Sequence, residues 1–272
     1  MCLYKGVDIM KKYGLWQNIT EHPSSVNFQL HVHDGYEIYL FLEGDSKFVI
    51  EENTYDLEPG DIVIIRKNQL HRVYHCSNKR YSRIVLNLSP DFFEGGLEMY
   101  EEQFTNPEKY PGNKIDAKTV RTSGIYDAIM RLKKYSDNFK NIDTVIVKSI
   151  IIELLHLMDN TTLFSESSIV NTQLSQIIDY INKNYTLDIS LSDIEKKFFI
   201  SKYHLCHIFP GATGLTVYQY ITKKRLAYAR ELIKSGMTIS ASAEKAGFNN
   251  YSSFYRAYIS EYNTTPQTDR KK

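Results

Sequence analysis

Up to about residue 91, apolar and polar positions alternate in short runs with a period of two, which is typical of β-strands. The runs are rich in β-branched and aromatic residues, and turn sequences such as Asp34-Gly35 and Pro59-Gly60-Asp61 separate them. The predicted strands are 26–30, 37–42, 47–50, 62–65, 71–75 and 83–88. Many short strands punctuated in this way favour a small antiparallel barrel or sandwich. Segment 91–118, with its paired glycines and its prolines, is predicted to be an irregular connection.

From residue 120 onward the spacing of apolar residues changes to a helical period. Ile125, Ile129 and Leu132 fall on one helical face, and 147–158 carries a broad apolar stripe. Helices that follow a β-domain either cover its core or pair with a second copy of the chain, and the pattern leaves both alternatives open. The polar run that follows is the predicted linker.

Six further helices are predicted after residue 171, from apolar residues at helical spacing. Four of them begin behind a residue that favours the N-cap position, namely Ser190, Ser201, Thr238 and Asn249 or Asn250. Asp193 stands three residues after Ser190, as in a capping box. Pro210 is predicted to end its helix abruptly. The sequence therefore divides into 1–118, a helical region 119–160, a linker 161–170 and a helical block 171–272.

Length and composition place the chain among globular proteins of two domains. It has 272 residues, of which 42% are hydrophobic and 24% are charged. No run approaches the roughly 18 apolar residues of a membrane span, and the start of the chain lacks the basic head and apolar run of a secretory signal. The three cysteines are far apart and form neither a metal spacing nor a disulfide framework. We therefore expect a cytoplasmic protein without a membrane partner.

The net charge of +1 conceals a division between the two parts of the chain. Block 171–272 has 14 Lys and Arg residues against 8 Asp and Glu, a surplus of +6, whereas the remainder has 19 against 24, or −5. A basic block joined to an acidic remainder is typical of a module that binds a polyanion. A solvated surface would show a surplus of this size as well, so charge alone does not establish DNA binding.

The helical block repeats itself at an offset of about 48 to 49 residues, as in the pairs Leu191 with Ile239 and Ile200 with Phe248. Each copy is a short helix, a tight turn and a second, capped helix. This is the helix-turn-helix layout, in which the second helix enters the major groove of DNA. Two such units on one rigid linking helix are able to read sites about 34 Å apart. A purely structural bundle is the alternative.

Many residues of the block 171–272 stand in the order and spacing of a known domain. They are Leu191-Ser192-Asp193-Ile194, Ser201-Lys202-Tyr203-His204-Leu205, Phe209, Gly214, Arg225-Leu226, Ala229, Leu232, Ile239, Ala243, Gly247-Phe248, Ser253-Phe254, Arg256-Ala257, Pro266 and Arg270. In this arrangement the block resembles the DNA-binding domain of AraC/XylS-type bacterial transcription regulators. The resemblance implies that the partner is specific double-stranded DNA.

The same resemblance assigns the exposed face of each recognition helix to base reading. By position these residues are Tyr203, Cys206 and His207 in the first unit, and Tyr251, Ser252, Tyr255 and Arg256 in the second. The planar guanidinium of Arg256 is suited to bidentate pairing with guanine, with a phosphate contact or a surface ion pair as its other roles. Predicted phosphate contacts are Lys202, Lys223 and Lys224.

Several positions depart from the family pattern. The family usually has a small residue where Glu195 stands and a basic residue at Pro210. In the second unit it prefers an apolar residue at Ser242 and Tyr at Asp269. Because an unpaired buried carboxylate is costly, Glu195 is expected to find a partner or to lie at an edge. The first unit is therefore predicted to read DNA less tightly than the second.

A second pattern lies in the N-terminal part of the chain. His31 and His33 share one face of an alternating segment, Glu37 follows four residues later, and Gly44, Pro59-Gly60-Asp61 and His71 come after it. Residues 24–90 thereby resemble the cupin barrel of AraC-type sensor domains. The predicted fold is α+β: a cupin-like antiparallel β-barrel with helices, followed by an all-α domain.

The resemblance implies a small-molecule effector at the mouth of the barrel. Its predicted contacts are His33, Glu37, Tyr39, His71 and Arg72, and a sugar suits these polar groups. The spacing also resembles the metal ligands of cupin enzymes, with His31, His33, Glu37 and His71 as the set that would hold a transition metal. Cupins that hold no metal carry the same residue types, so no cofactor is required.

Two functions from different classes follow. The first is a transcription regulator that responds to a small molecule, is a homodimer through 119–160, and is not an enzyme. The alternative is a metal-dependent cupin enzyme with a degenerate helix-turn-helix tail. The sequence names neither the effector nor the operator, and it does not decide between activation and repression.

Overall fold

The computed structural model describes residues 12–24, 30–138, 144–161 and 172–270. Its strands are β1 (Tyr13–Thr20), β2 (Tyr36–Glu43), β3 (Ser46–Ile50), β4 (Asn53–Asp56), β5 (Ile62–Ile65), β6 (His71–His75), β7 (Tyr81–Leu88) and β8 (Lys114–Ile115). They form two antiparallel sheets, one in the order β1-β7-β2-β5-β8 and one in the order β4-β3-β6. The helices of the β-domain are α1 (Glu98–Thr105), α2 (Ala117–Thr122), α3 (Ile125–Asn138) and α4 (Thr144–Asp159).

Five of the six predicted strands are confirmed, as β2, β3, β5, β6 and β7. Most of the sixth, 26–30, lies outside the described residues. The structure adds β1, β4 and β8, which the pattern did not reveal. The prediction that 91–118 is irregular was wrong, because this segment contains α1, β8 and the start of α2. Asp116 caps α2, accepting a hydrogen bond from the Thr119 amide at 3.0 Å.

Both faces of the five-stranded sheet are apolar, and each face packs in a different core. Tyr39, Phe41 and Val63 face the smaller sheet and fill the space between the two sheets. Ile38 and Leu40 face the opposite way and pack with α3 and α4. Helices α3 and α4 therefore cover the β-core, which is one of the two alternatives that the sequence left open.

The C-terminal domain contains α5 (Thr172–Asn184), α6 (Leu191–Phe198), α7 (Lys202–Thr213), α8 (Val217–Lys234), α9 (Ile239–Lys245), α10 (Tyr251–Tyr262) and α11 (Pro266–Arg270). The predicted caps are confirmed, including the capping box of Ser190 with Asp193 and the Asn250 cap of α10. None of the described helices has the length and hydrophobicity to cross a membrane.

The prediction for Pro210 was wrong, because α7 continues through this residue to Thr213. A proline inside a helix leaves the carbonyl four residues earlier without its partner. Here that carbonyl belongs to Cys206, which is exposed, so water can supply the missing hydrogen bond. The helix ends instead at Gly214, whose φ of 75° suits a left-handed cap.

The two domains share a core and a row of polar contacts. Leu30, Val32 and Leu70 of the β-domain are buried in one cluster with the apolar faces of α5, α7 and α8. Three side chains of the linking helix α8 contact the same edge of the β-domain. They are Lys224, which donates to Glu51 at 2.6 Å, Glu231, which pairs with Lys67 at 2.9 Å, and Lys234, which pairs with Asp34 at 2.5 Å.

Candidate effector pocket and DNA-binding surface

Three of the four predicted metal ligands converge in the β-domain. His33, Glu37 and His71 bring one ligand atom each within 4.8 Å of one another. Strand β2 supplies Glu37 and β6 supplies His71, while His33 comes from the segment before β2. Glu37 and His71 are buried, with 8% and 1% of their surfaces exposed. We call these three residues the His-Glu cluster.

Backbone carbonyls fix both imidazoles of the cluster. Nδ1 of His33 donates to the Gly35 carbonyl at 3.0 Å, and Nδ1 of His71 donates to the Gln69 carbonyl at 2.9 Å. The Nε2 atoms are therefore the ones that act inside the cluster. Nε2 of His33 lies 3.1 Å from Glu37 Oε2. Nε2 of His71 is buried and has no hydrogen-bond partner among the described residues.

The charges of the cluster follow from these contacts. Burial alone would raise the pKa of Glu37, but the hydrogen bond and charge of His33 outweigh it and hold that pKa at about 2. Burial opposes the charged form of His33 too, but Glu37 raises its pKa overall. Burial lowers the pKa of His71 well below its usual range. The cluster thus holds an ion pair beside a neutral imidazole whose Nε2 lone pair can accept a donor or a cation.

The other predicted pocket residues have different positions. Tyr39 lies in the barrel interior, and its hydroxyl is 2.6 Å from that of Tyr81. His31 is outside the group of three, although its ring centroid is 4.2 Å from that of His71. Arg72 was wrongly placed in the barrel pocket. Its neighbours in β6 point inward and Arg72 points outward, toward the helical domain, where its guanidinium is 3.4 Å from the Ala212 carbonyl.

Tyr81 and Arg83 were not among the predicted pocket residues, and they extend the polar interior of the barrel. Arg83 donates to the Tyr81 hydroxyl at 2.7 Å and lies over the Tyr39 ring at 5.9 Å. The available signal was the alternation along β7, which puts Tyr81, Arg83 and Val85 on one face of the strand. A hydroxyl pair and a guanidinium in a largely apolar interior are groups that orient a polar ligand.

The recognition helix of the first unit, α7, presents its predicted base-reading residues to solvent. Tyr203, Cys206 and His207 are all exposed, and Tyr203 has 84% of its surface accessible. Leu205 and Phe209 on the opposite face are fully buried. Docking of the two domains leaves this face open, so the surface is available to DNA in the arrangement of the structure.

The recognition helix of the second unit, α10, has the same division into two faces. Tyr251, Ser252 and Arg256 are exposed, while Phe254 and Tyr258 are fully buried. Tyr255, another predicted base reader, is half-buried, and its ring is stacked on that of Tyr251 with centroids 6.1 Å apart.

The three predicted phosphate contacts differ in their freedom to reach DNA. Lys202 is exposed at the start of α7. Lys223 binds Glu261 within the helical domain. The structure contradicts the prediction for Lys224, whose side chain is only 9% exposed and donates to Glu51 and to the Asn68 carbonyl of the β-domain. In this arrangement Lys224 cannot reach a phosphate.

The residues that depart from the family pattern have partners. The Glu195 carboxylate accepts the Lys202 amide at 3.2 Å and lies near its ammonium, at 3.7 Å. Ser242, buried in α9, donates to the Thr238 carbonyl at 2.9 Å. Asp269 is 1% exposed and accepts from both Arg230 and Tyr258. Each polar group is satisfied, so none of these positions disrupts its unit.

Comparison with protein-family models gives two matches that together span most of the chain. Residues 19–155, about half of the chain, match the model described as an AraC-like ligand binding domain. Residues 194–272 match a helix-turn-helix domain.

Individual proteins are similar over nearly the whole length. A probable transcriptional regulator, LumQ of Photobacterium leiognathi, is 26% identical over 238 residues, which are 87% of this chain and 89% of that protein. The transcriptional regulator ExsA of Pseudomonas aeruginosa is 23% identical over 269 residues, which cover 96% of this chain and 95% of that protein. Among solved structures, ToxT of Vibrio cholerae is 14% identical over 95% of this chain and 97% of that chain, with a TM-score of 0.42.

Proposed function

The chain belongs to the AraC family of DNA-binding transcription regulators, with an N-terminal ligand-binding domain, and we propose that a small polar molecule bound at the His-Glu cluster controls its activity. The observation that carries this proposal is the buried Nε2 of His71, which has no partner among the described residues and faces an ionised Glu37–His33 pair. Tyr39, Tyr81 and Arg83 add hydroxyl and guanidinium groups deeper in the barrel. A sugar is the class of ligand that these groups suit.

The position of the cluster supports a route from ligand to DNA. His33 adjoins Val32 and Asp34, and both of these contact the helical domain. His71 adjoins Leu70, which is buried in the shared core. A ligand that moves either imidazole displaces the surface on which α8 is docked. Such a ligand acts only to the extent that it prefers one domain arrangement over another.

For the DNA-binding domain, we propose that α7 and α10 read bases and that Arg256 makes the strongest base contact. Its support is the exposure of Arg256 on the open face of α10. Replacing Arg256 with Ala should weaken operator binding about 5- to 150-fold, since a bidentate Arg–guanine pair is worth roughly 1–3 kcal/mol.

The operator for this test comes from selection of full-length protein against random duplex DNA at near-physiological salt with nonspecific competitor. Mobility-shift titration then compares Arg256→Ala with Lys183→Ala, an exposed lysine of α5. Equal losses in the two variants would show that Arg256 contributes only charge. Enrichment of two motifs about one helical turn apart would support base reading by both units, and one motif would indicate that α7 has lost this role.

Ligand binding is tested by isothermal titration of a sugar panel against the wild-type protein and His71→Ala. The proposal expects at least one sugar whose binding is lost in the variant. Binding that persists in His71→Ala would move the effector elsewhere, and no binding by any sugar would remove sugars as the ligand class.

A transition-metal ion is the second candidate for the same cluster. The donor set of two imidazoles and a carboxylate suits such an ion, and the Nδ1 hydrogen bonds to backbone carbonyls are the usual support of a metal-binding His. Elemental analysis of wild-type protein and His71→Ala distinguishes the two occupants. The enzyme alternative has no support among the relatives, which are named transcription regulators.

The helices that cover the β-core also leave an outer surface at which two copies could meet. We propose a homodimer in the cytoplasm, with α4 at the interface, where Val145 is 72% exposed and Ile146 is 39% exposed. Sedimentation of wild-type protein beside Val145→Glu tests this assignment, because a charge on an apolar interface should shift the protein toward monomer.

A further inference from the structure

A cavity separates the outer face of the three-stranded sheet from the first helix-turn-helix unit. Its volume is about 560 Å³. Strands β3, β4 and β6 form one wall, and α5 and α7 form the other. The apolar part of its surface comes from Val49, Leu174, Ile178 and Ile208. Volumes of this size at domain interfaces are typical of sites for small organic ligands.

Some of the charged residues around the cavity are in ion pairs, and others have no ion-pair partner among the described residues. Lys47 pairs with Asp56 at 2.8 Å, and Glu51 pairs with Lys224 at 2.6 Å. Arg72 has no acidic partner among the described residues. Nε of its guanidinium is buried without a hydrogen-bond partner there, and Nη2 makes a long hydrogen bond of 3.4 Å to the Ala212 carbonyl. A guanidinium that lines a partly apolar cavity and is paired with no carboxylate is suited to bind an anion.

Glu52 is the other charged group of the cavity that has no ion-pair partner of opposite sign among the described residues. Its Oε2 atom is buried without a hydrogen bond among the described residues. Burial and the neighbouring Glu51 raise the pKa of Glu52 to about 7. Near neutral pH a large fraction of Glu52 is therefore uncharged, and the carboxylic acid can donate a hydrogen bond rather than repel an anion.

We propose that this interdomain cavity is a second ligand site, which takes a small organic anion with an apolar body. The guanidinium of Arg72 binds the anionic group, and Val49, Ile178 and Ile208 surround the apolar part. The site is separate from the His-Glu cluster, because Arg72 points outward from β6 whereas His71 points inward.

The site has a regulatory consequence because its two walls belong to different domains. A ligand that contacts both walls binds the docked arrangement more tightly than the separated one. Binding therefore stabilises docking, and by linkage docking strengthens binding by the same factor. The cavity adjoins α7, so the first DNA-reading unit is the part of the molecule that responds.

The test uses full-length protein and two fluorescent probes of similar shape. The first is 1-anilinonaphthalene-8-sulfonate, an aryl anion, and the second is N-phenyl-1-naphthylamine, which lacks the sulfonate. Two variants address the two halves of the site. Arg72→Gln removes the anion receptor, with Arg80→Gln as the control at an exposed arginine. Gly211→Leu fills the cavity, since a Cβ at Gly211 would have no described atom within 4 Å.

Wild-type protein and Arg80→Gln should bind the sulfonate probe with a stoichiometry of one. Arg72→Gln should weaken the sulfonate at least 10-fold while leaving the neutral probe within about 2-fold. Gly211→Leu should abolish both, and circular dichroism melts establish that each variant is folded. Sulfonate affinity unchanged in both cavity variants would overturn the proposal. His71→Ala separates the two sites: it abolishes binding at the His-Glu cluster and should leave both probes unaffected.

Discussion

The two helix-turn-helix units share a layout but not an environment. The first, α6 and α7, belongs to a core that includes Leu30, Val32 and Leu70 of the β-domain. The second, α9 and α10, has a core of its own, in which Phe254 and Tyr258 pack against the end of α8. The first unit therefore depends on the β-domain for part of its burial, whereas all described residues in the core of the second unit belong to the helical domain.

From this difference we expect the first unit to respond more strongly than the second to a change in the β-domain. A change in the β-domain reaches α7 directly through shared packing. Among the described residues, the core of α10 packs on α8 and contains no side chain of the β-domain. Arg225 of α8 donates to the carbonyls of Tyr185 and Leu187, and Gly247 after α9 approaches the Thr186 carbonyl so closely that a Cβ there would lie 2.5 Å from the oxygen. The second unit therefore packs closely against α8 and against the loop 185–190 between α5 and α6.

The largest expected effect comes from removing a core ring from each unit. Phe254→Ala should destabilise the second unit by about 3–5 kcal/mol and leave protection in β2 unchanged. Phe209→Ala should cost a similar amount but also loosen the docking of α7 on the β-domain. Hydrogen exchange measured segment by segment distinguishes them. Equal loss of protection at 30–34 in both variants would contradict the division into two cores.

The next effect concerns the contact of α8 with the β-domain. Lys224→Met leaves Glu51, which is 14% exposed, without its ammonium. Breaking a pair with so little exposure should cost about 2–4 kcal/mol in urea unfolding, against less than about 0.5 kcal/mol for the exposed Lys183→Met. If Lys224 instead contacts a DNA phosphate, the variant would have unchanged stability. The salt dependence of its DNA binding would then indicate about one fewer counterion released than in the wild type.

A smaller effect, of opposite sign, is expected from Glu52→Gln. Because the folded protein holds the pKa of Glu52 at about 7, above its usual 4.5, stability falls as pH rises between these two values. The variant removes this loss, so its melting temperature should exceed that of the wild type at pH 8 and equal it at pH 4.5. After allowance for partial solvent screening the gain is about 1–2 kcal/mol.

The groups that act on Glu52 are Glu51 and Asp179, which raise its pKa, and Lys224, which lowers it. The same measurement in Lys224→Met should therefore show a steeper fall between pH 5 and 8. A gain from Glu52→Gln that is equal at both ends of the pH range would mean that the carboxyl is not buried in solution.

The smallest effect should come from the exposed end of the interface between the domains. Lys234→Ala breaks the pair with Asp34, in which both side chains are about one-third exposed. We expect the variant to lose less than about 1 kcal/mol of its free energy of unfolding. At about 0.5 M NaCl we expect no loss, because the salt screens the attraction. A loss that persists at high salt would indicate that Lys234 contributes packing rather than charge.

Local features of the structure could be predicted because few residues determine each of them. Ser190 and Asp193 form a capping box from side chains three positions apart. His33 and Glu37 meet in the same way, across a tight turn. The repeat at 48–49 residues located both units because the turns and caps recur with it. In the capping box and in the His33–Glu37 pair, the two partners lie within four positions of each other in the chain.

Arg72 and Lys224 show what the sequence could not reveal. Alternation along β6 was sufficient to place Arg72 on the outer face, but what lies opposite that face depends on how two domains dock. The Lys224 partner, Glu51, is 173 positions away in the chain. Contacts of this kind depend on tertiary geometry, and no period in the sequence reports them.

The segment that enters β2 is bound on both of its sides, and this limits how the chain can vary in length. Leu30 and Val32 are buried against the helical domain, while His31 and His33 lie next to His71. One inserted or deleted residue would turn the side chains that face the helical domain toward His71, and those that face His71 toward the helical domain. Imidazoles would then lie in an apolar core. Gly95 and Gly96 lie in a loop without this constraint, because a Cβ added at either would have no described atom within 4 Å. Libraries that vary loop length should therefore succeed at 94–97 and fail at 30–34.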